Sequence, residues 1–271
     1  MRKVLVGLIA VLVLTGCGDP SPPAPPQTTT PAPSASSPAP TPSATPTSTP
    51  TPSGTATVTP PEPEPEPEPQ PETGIESGPA SSLQVLVNKR TPLSPADYQP
   101  ELVAVSTSAD RDGEAVRPEV DAALTELSAA MRADIGEGTH VFSSYRSYAR
   151  QTELYNSYVA QYGQAEADTT SARPGHSEHQ TGLSVDLMGT SGQCRLDTCF
   201  GDTAAGRWVA EHGWEHGFIV RYPDGLEGVT GYEYEPWHLR FVGVEVSTAM
   251  HQQGARTYEE FLGAGSAPDY R

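Results

Sequence analysis

Of the chain's 29 prolines, 21 lie between Pro20 and Pro79, and that clustering limits where a folded core can form. Proline fixes φ and removes a backbone donor, so a run this dense supports neither helix interiors nor central strands. From Gly18 to Pro79 the other residues are mostly Ser, Thr, Ala and Glu, with Pro and Glu alternating from Pro61 to Pro69. Such a segment buries too little apolar surface to offset chain entropy, and it favours extended polyproline II. At about 3.1 Å per residue it reaches at most roughly 190 Å. Setting aside the first 80 of 271 residues leaves 191, enough for one self-sufficient domain. Beyond Ala80 there are 14 basic and 27 acidic residues, a net charge of 14 − 27 = −13 within the whole chain's −18. With no basic stripe to neutralise phosphates, nucleic acid is excluded as a partner.

Ahead of the proline-rich segment, Arg2 and Lys3 precede an apolar run from Val4 to Leu14. That run is about half the length a membrane-spanning helix needs, so it reads as the apolar region of a signal peptide. It closes in Leu14-Thr15-Gly16-Cys17, which resembles the lipobox of bacterial lipoproteins. The resemblance implies a signal peptide over 1–16, lipid on Cys17, and a disordered tether over 17–80 that carries a domain at 81–271. An ordinary secretory signal with an incidental cysteine is the alternative. Either reading places the domain outside the cytoplasm, and an acylated Cys17 anchors it to the membrane without a spanning helix, extending into the cell wall. Export permits a disulfide between Cys194 and Cys199 across a four-residue loop, whereas that pair without further ligands is poor evidence for structural zinc.

Within 81–271, Leu83–Val87 and Glu101–Val105 have strand composition, separated by a loop that Pro92, Pro95 and Pro100 hold extended. Pro118 opens the clearest helix: Val120, Leu124, Leu127, Met131 and Ile135 recur at helical spacing, and Gly136 stops it. Val141-Phe142 reads as a strand. Ser147 caps a helix to about Tyr162, in which Tyr148, Leu154, Tyr155, Tyr158 and Val159 read as core. Gly182–Leu187 is a strand with Leu183, Val185 and Leu187 on one face. Asp202 begins a helix through Val209, Phe218–Tyr222 and Tyr232–Val242 form a hairpin-like pair, and Glu245–Gln253 is a terminal helix. Strands and helices do not alternate regularly, which favours α+β over a doubly wound sheet.

Three residues stand in contexts suited to zinc. His179 lies in the turn-rich run Pro174-Gly175-His176-Ser177-Glu178-His179, and Asp186 follows inside an apolar strand, where a carboxylate needs a counter-charge. His238 lies in Glu235-Pro236-Trp237-His238. Two His and one Asp leave a fourth zinc position open to water, the pattern of a catalytic site, and Glu235 is near enough in sequence to serve as general base. His212 and His216 read as helix C-terminal cations; His176 as a surface or outer residue; Arg173 as an ion-pair partner; His140 and His251 have no role.

These motifs resemble the VanY-type zinc D,D-carboxypeptidases of peptidase family M15: Ser177-x-His179-x-x-Gly182-x-x-x-Asp186, then Glu235-x-x-His238. Asn88-Lys89-Arg90-Thr91-Pro92-Leu93, Ser144-Tyr145-Arg146-Ser147 with Gln151, and Gly231-Tyr232 resemble further stretches of the family, so the likeness runs from about Leu83 to Tyr258. It implies an α+β fold with a small, mostly antiparallel sheet and flanking helices, shared with Hedgehog-type proteins and related peptidases. It also implies one Zn²⁺ per domain on His179, Asp186 and His238, Glu235 as base, Arg146 in the active site, and Gln151 and Ser177 as substrate contacts.

The implied reaction is removal of the terminal D-Ala from D-Ala-D-Ala-ending peptidoglycan stem peptides. An L,D-carboxypeptidase or D,D-dipeptidase with the same site is the near alternative, and a non-catalytic peptidoglycan-binding module the distant one. The peptidoglycan stem peptide is the expected partner, the membrane is met only through the lipid, and no obligate protein partner is evident.

Overall fold

Four strands carry the site, and their register follows from where apolar residues alternate. The computed structural model describes residues 74–107 and 113–270, so the signal peptide, Cys17 and the tether up to residue 73 lie outside the described residues. A small antiparallel pair, β1 (Val103–Ala104) and β2 (Ala115–Val116), precedes helix α1 (Pro118–Ile135), which ends at Gly136 in the left-handed conformation. Strand β3 (Thr139–Ser143) leads to α2 (Tyr148–Tyr162), where the Ser147 hydroxyl accepts from Arg150 N–H as the expected cap, and to a short α3 (Gln164–Thr170). After a 3₁₀ turn (Glu178–Thr181) come β4 (Ser184–Gly189), a second 3₁₀ turn (Thr198–Asp202), α4 (Ala204–His212) and β5 (Phe218–Tyr222). Then follow α5 (Glu227–Thr230), β6 (Glu235–Phe241), α6 (Val244–Gln253) and α7 (Tyr258–Leu262).

The main sheet has the order β3-β4-β6-β5, antiparallel throughout, so the fold is α+β with small antiparallel sheets and flanking helices. Leu183, Val185 and Leu187 lie in one buried cluster with Val120, Leu124, Leu127 and Met131 of α1 and with Trp208 and Val209 of α4. Alternation along β4 turns Asp186 to the opposite face from Val185 and Leu187. A second cluster gathers Leu86, Val242, Val246, Met250 and Tyr258, and Ile75 packs against it. The fold therefore engages the chain before residue 81.

Leu83–Val87 is not a strand, although Val85, Leu86 and Val87 are buried. Side chains take its backbone groups instead: Arg240 donates to the carbonyls of Leu83 (3.1 Å) and Val85 (2.6 Å), and the Tyr258 hydroxyl to that of Gln84 (2.7 Å). α4 begins at Ala204 because the Thr203 hydroxyl, accepting from Gly206 N–H, caps it, leaving Asp202 in the preceding turn. β5 and β6 do pair, but their connection contains α5. The Glu245–Gln253 helix does not end the fold, since Thr257 and Glu260 form a capping box that starts α7.

Behind the site lies a fully buried ionic cluster. Glu178 Oε1 accepts from Arg221 Nε (2.8 Å) and Arg240 Nη1 (2.8 Å), while Glu259 holds Arg221 bidentately at 2.9 and 2.6 Å. Asn88 donates to Glu259 as well (3.0 Å). Two guanidinium groups and two carboxylates sum to zero charge, which makes their burial tolerable. Burial opposes ionisation of Glu178, yet Arg221 and Arg240 hold its carboxyl well below the ordinary 4.5. Its contribution to stability is thus present above about pH 4.5 and declines as acid protonates it. Arg221→Met leaves a net negative charge in this cluster. The unfolding free energy in urea should fall by about 3–5 kcal/mol; a loss below about 1 kcal/mol would mean that water reaches these groups.

Candidate active site

Pairing of β4 with β6 places Asp186 directly opposite His238, so the two side chains share one face at neighbouring positions. His179 reaches the same point from the 3₁₀ turn, which closes on Gly182 at φ +69°. A Cβ on Gly182 would also stand 3.1 Å from Pro100, Leu102 and Arg117, so glycine is required there. His179 Nδ1 donates to the Ser144 carbonyl (2.7 Å), which sets the ring so that Nε2 lies 3.3 Å from Asp186 Oδ2. His238 Nδ1 lies 3.2 Å from Asp186 Oδ1 and 3.6 Å from Glu235 Oε2, with Nε2 3.5 Å from Glu178 Oε2.

One ligand atom from each of His179, Asp186 and His238 falls within 4.8 Å of the others, and all three residues are buried. Despite its neighbours, Asp186 Oδ1 has no hydrogen-bond partner among the described residues, which is what a buried carboxylate oxygen reserved for a cation would show. A donor set of two imidazoles and one carboxylate, without thiolate, suits a zinc ion that keeps an open position. The residues fit the metal.

The charges around the cluster also call for a cation. Asp186 is held far below the ordinary carboxylate range: burial opposes this, but His179 and His238 outweigh it. Burial depresses the His179 imidazole. His238 is pushed up to about 9 against its burial, by Asp186, Glu178 and Glu235. Glu235 is pushed up to about 8, first by burial and then by Asp186, with His238 and Arg146 opposing.

Arg146, on the loop between β3 and α2, donates to Gln151 Oε1 (2.8 Å) and Ser143 Oγ (3.1 Å). It lines a cavity of about 500 Å³ together with Ser177, Glu235, Trp237 and the three candidate ligands. Gln151, expected to touch substrate, stands behind Arg146 instead. It is fully buried and gives its amide to the Ala172 carbonyl (2.6 Å) and to Ser171 Oγ (3.3 Å). Leu154 and Tyr158, expected in the core, line the cavity, while Tyr148 of the same helix is exposed. Cys194 and Cys199 are bonded, and Leu196 of the loop they close is 53% exposed and lines the cavity. Arg173 pairs with Asp168 (2.7 Å) as expected. His176, half-buried, donates from Nδ1 to the Asn88 carbonyl (2.8 Å). The sequence reading missed Glu178, which backs His238. The signal for it was two arginines, Arg221 and Arg240, in otherwise apolar strands.

The family model described as VanY: D-alanyl-D-alanine carboxypeptidase matches residues 113–244. A D-alanyl-D-alanine carboxypeptidase of Enterococcus faecalis is 36% identical over 187 residues, spanning 66% of this chain and 65% of that protein. Among solved structures, the LdcB LD-carboxypeptidase superposes with a TM-score of 0.63 at 36% identity, covering 68% of this chain and 87% of that one. A vancomycin-resistance D,D-pentapeptidase VanY from a VanB-type cassette, in complex with Zn(II), gives 0.55 at 37%, covering 67% of this chain and 98% of that one.

Zinc and protons compete for the cluster, because without metal His238 and Glu235 both hold protons at neutral pH. Adding zinc to chelator-treated protein at pH 7 should release between about one and two protons, read by calorimetry in buffers of different protonation enthalpy. Affinity should therefore rise with pH; a constant affinity between about pH 6 and 8 would contradict this account.

Proposed function

Because this chain belongs to the VanY family of D-alanyl-D-alanine carboxypeptidases, we propose that it removes the terminal D-Ala from peptidoglycan stem peptides ending in D-Ala-D-Ala, using one zinc ion. The observation that carries this reading is the placement of Glu235: its carboxylate faces the His179–Asp186–His238 cluster from within the same cavity as Arg146. Zinc on those three residues would polarise the scissile carbonyl and make a water molecule acidic near neutral pH.

The remaining work belongs to side chains. Glu235, whose ionised form a nearby dication favours, takes the water proton on Oε2 and returns it to the departing amino group. Burial around Glu235 gives it a basicity suited to that task. Arg146 supplies a guanidinium to the cavity lining, and Gln151 and Ser143 fix its direction; it meets the substrate's carboxylate or the developing oxyanion. Ser177 lines the cavity where it can hydrogen-bond the peptide. Glu178 orients His238 from behind.

A second reading keeps the site and changes the bond: cleavage of an L,D linkage in a tetrapeptide. Similarity to the LdcB LD-carboxypeptidase favours it. Product analysis separates the two. A zinc-dependent release of one D-Ala from a peptide ending in Lys-D-Ala-D-Ala supports the D,D reading, and cleavage only of a tetrapeptide at its L,D bond replaces it. In either case Glu235→Ala should retain zinc and lose about 10²–10⁴-fold in turnover, and undiminished turnover would remove Glu235 from its role.

The lipobox-like Leu14-Thr15-Gly16-Cys17 supports placement outside the cytoplasm with a lipid on Cys17, and the Cys194–Cys199 disulfide agrees with an oxidising compartment. The proline-rich segment then tethers the domain within the wall, where its peptide substrates are. Deleting residues 18–73, which spares Ile75 and its packing, should leave activity on a soluble peptide within about twofold of the full chain. A large loss would assign that segment a part in catalysis.

A further inference from the structure

We propose that the segment following α7, Ala267–Tyr270, is a strap that fixes the distance between two walls of the catalytic cavity, with Tyr270 as a positioning residue. One wall is formed by Thr170–Ala172 and Ser177, and the other by Tyr232–Glu235. Tyr270 bonds to both. Its hydroxyl accepts from the backbone N–H of Arg173, the residue after Ala172 (2.9 Å), and shares a hydrogen bond with the Tyr232 hydroxyl (3.1 Å).

The ring of Tyr270 is held from three sides. The Arg173 guanidinium lies 4.1 Å over it, His176 meets it edge-on at 5.1 Å, and Lys89 Nζ stands 5.6 Å from its centre. Arg173 is tied in turn to Asp168 of α3 (2.7 and 3.0 Å), which accepts from Tyr155 of α2 (2.6 Å). On the opposite wall, Lys89 Nζ lies 4.6 Å over the Tyr232 ring and donates to the carbonyls of Gly231 and Pro268 (3.4 Å for the latter).

Three further contacts seat the strap. Ala267 N–H donates to the Val229 carbonyl (2.7 Å), Arg90 pairs with Asp269 (2.6 Å), and Ala267 is buried. Gly231 has φ +85°, and a Cβ there would stand 2.5 Å from the Ala267 carbonyl. From Tyr232 the contact reaches the metal cluster in two steps, since its ring packs on Tyr222 (4.8 Å) and that ring on His238 (4.8 Å). Tyr270 belongs to neither hydrophobic cluster, and the partners of its hydroxyl are Arg173, next to one wall, and Tyr232, in the other.

The kinetic test rests on the peptidase reading, and a second test does not. In the full chain, Tyr270→Phe keeps the ring but leaves Arg173 N–H and the Tyr232 hydroxyl without their shared partner. KM for the D-Ala-D-Ala peptide should rise about three- to tenfold with kcat, zinc content and melting temperature little changed. A chain ending at Gly265 should show a larger rise in KM. Amide hydrogen exchange should quicken in both 170–178 and 231–235 of the Tyr270→Phe protein, with α1 and β4 unaffected. Unaltered exchange in both segments overturns the strap, as does a parallel fall of kcat, zinc content and melting temperature. If the unmodified protein turns over no D-Ala-D-Ala peptide, the peptidase reading fails, and exchange still decides the strap.

Discussion

Glu178 is the side chain on which the most structure converges. It sits in the turn that carries His179, accepts from Arg221 of β5 and Arg240 of β6, and approaches His238 with its other oxygen. Arg221 passes the connection to Glu259 in α7, and Arg240 passes it to the carbonyls of Leu83 and Val85. Four charges without solvent contact are tolerated only when each is matched in sign and in hydrogen bonds, so the geometry is narrowly defined. Well-packed apolar residues would stabilise as much or more. What the ionic cluster supplies is fixed directions for the turn, the two strands and the segment 83–87, and through them a fixed position for His179 and His238.

A second constraint follows from register. Asp186 and His238 face one another across β4 and β6, and a slip of one residue would send both side chains into the apolar cluster occupied by Leu187 and Leu239. The buried face therefore enforces the metal face. Once the register is set, Asp186 and Glu235 crowd His238 with carboxylates whose charge, without a metal, is offset by protons held on His238 and Glu235. A dication takes the place of those protons, and it also favours ionised Glu235 as a base. The electrostatic arrangement that attracts the metal and the one that prepares the base are the same.

The cavity walls come from parts of the chain distant in sequence. The α2–α3 wall supplies Leu154, Tyr158 and Thr170–Ala172, the disulfide loop supplies Leu196, and the stretch leading into the first residue of β6 supplies Tyr232–Glu235. Gln151 joins Arg146 to the first of these walls from inside, through the Ala172 carbonyl. Substrate therefore enters a space whose charged groups are already directed by buried partners, which is the preorganisation that catalysis by fixed charges requires.

The sequence by itself determined much of this protein. Proline density marked off the segment before the fold, the spacing of Val120, Leu124, Leu127 and Met131 with Pro118 and Gly136 defined α1, and Ser147 capped α2. The pattern His179, Asp186, Glu235, His238 named the candidate centre. The first three of these features are local, each a cap, a period or a short spacing readable within a few residues, and the two halves of the fourth are joined by the family resemblance. Only the tertiary structure decided that Leu83–Val87 is held by side chains rather than by a strand partner, and that Gln151 supports Arg146 from behind. It alone placed Glu178 at the back of His238 and brought Tyr270 between the cavity walls. Apart from the step between Arg146 and Gln151, five positions apart, those outcomes rest on hydrogen bonds and ion pairs between residues separated by 20 to 174 positions. Burial and hydrogen-bond satisfaction choose such partners after the chain has collapsed, and no local period in the sequence records the choice.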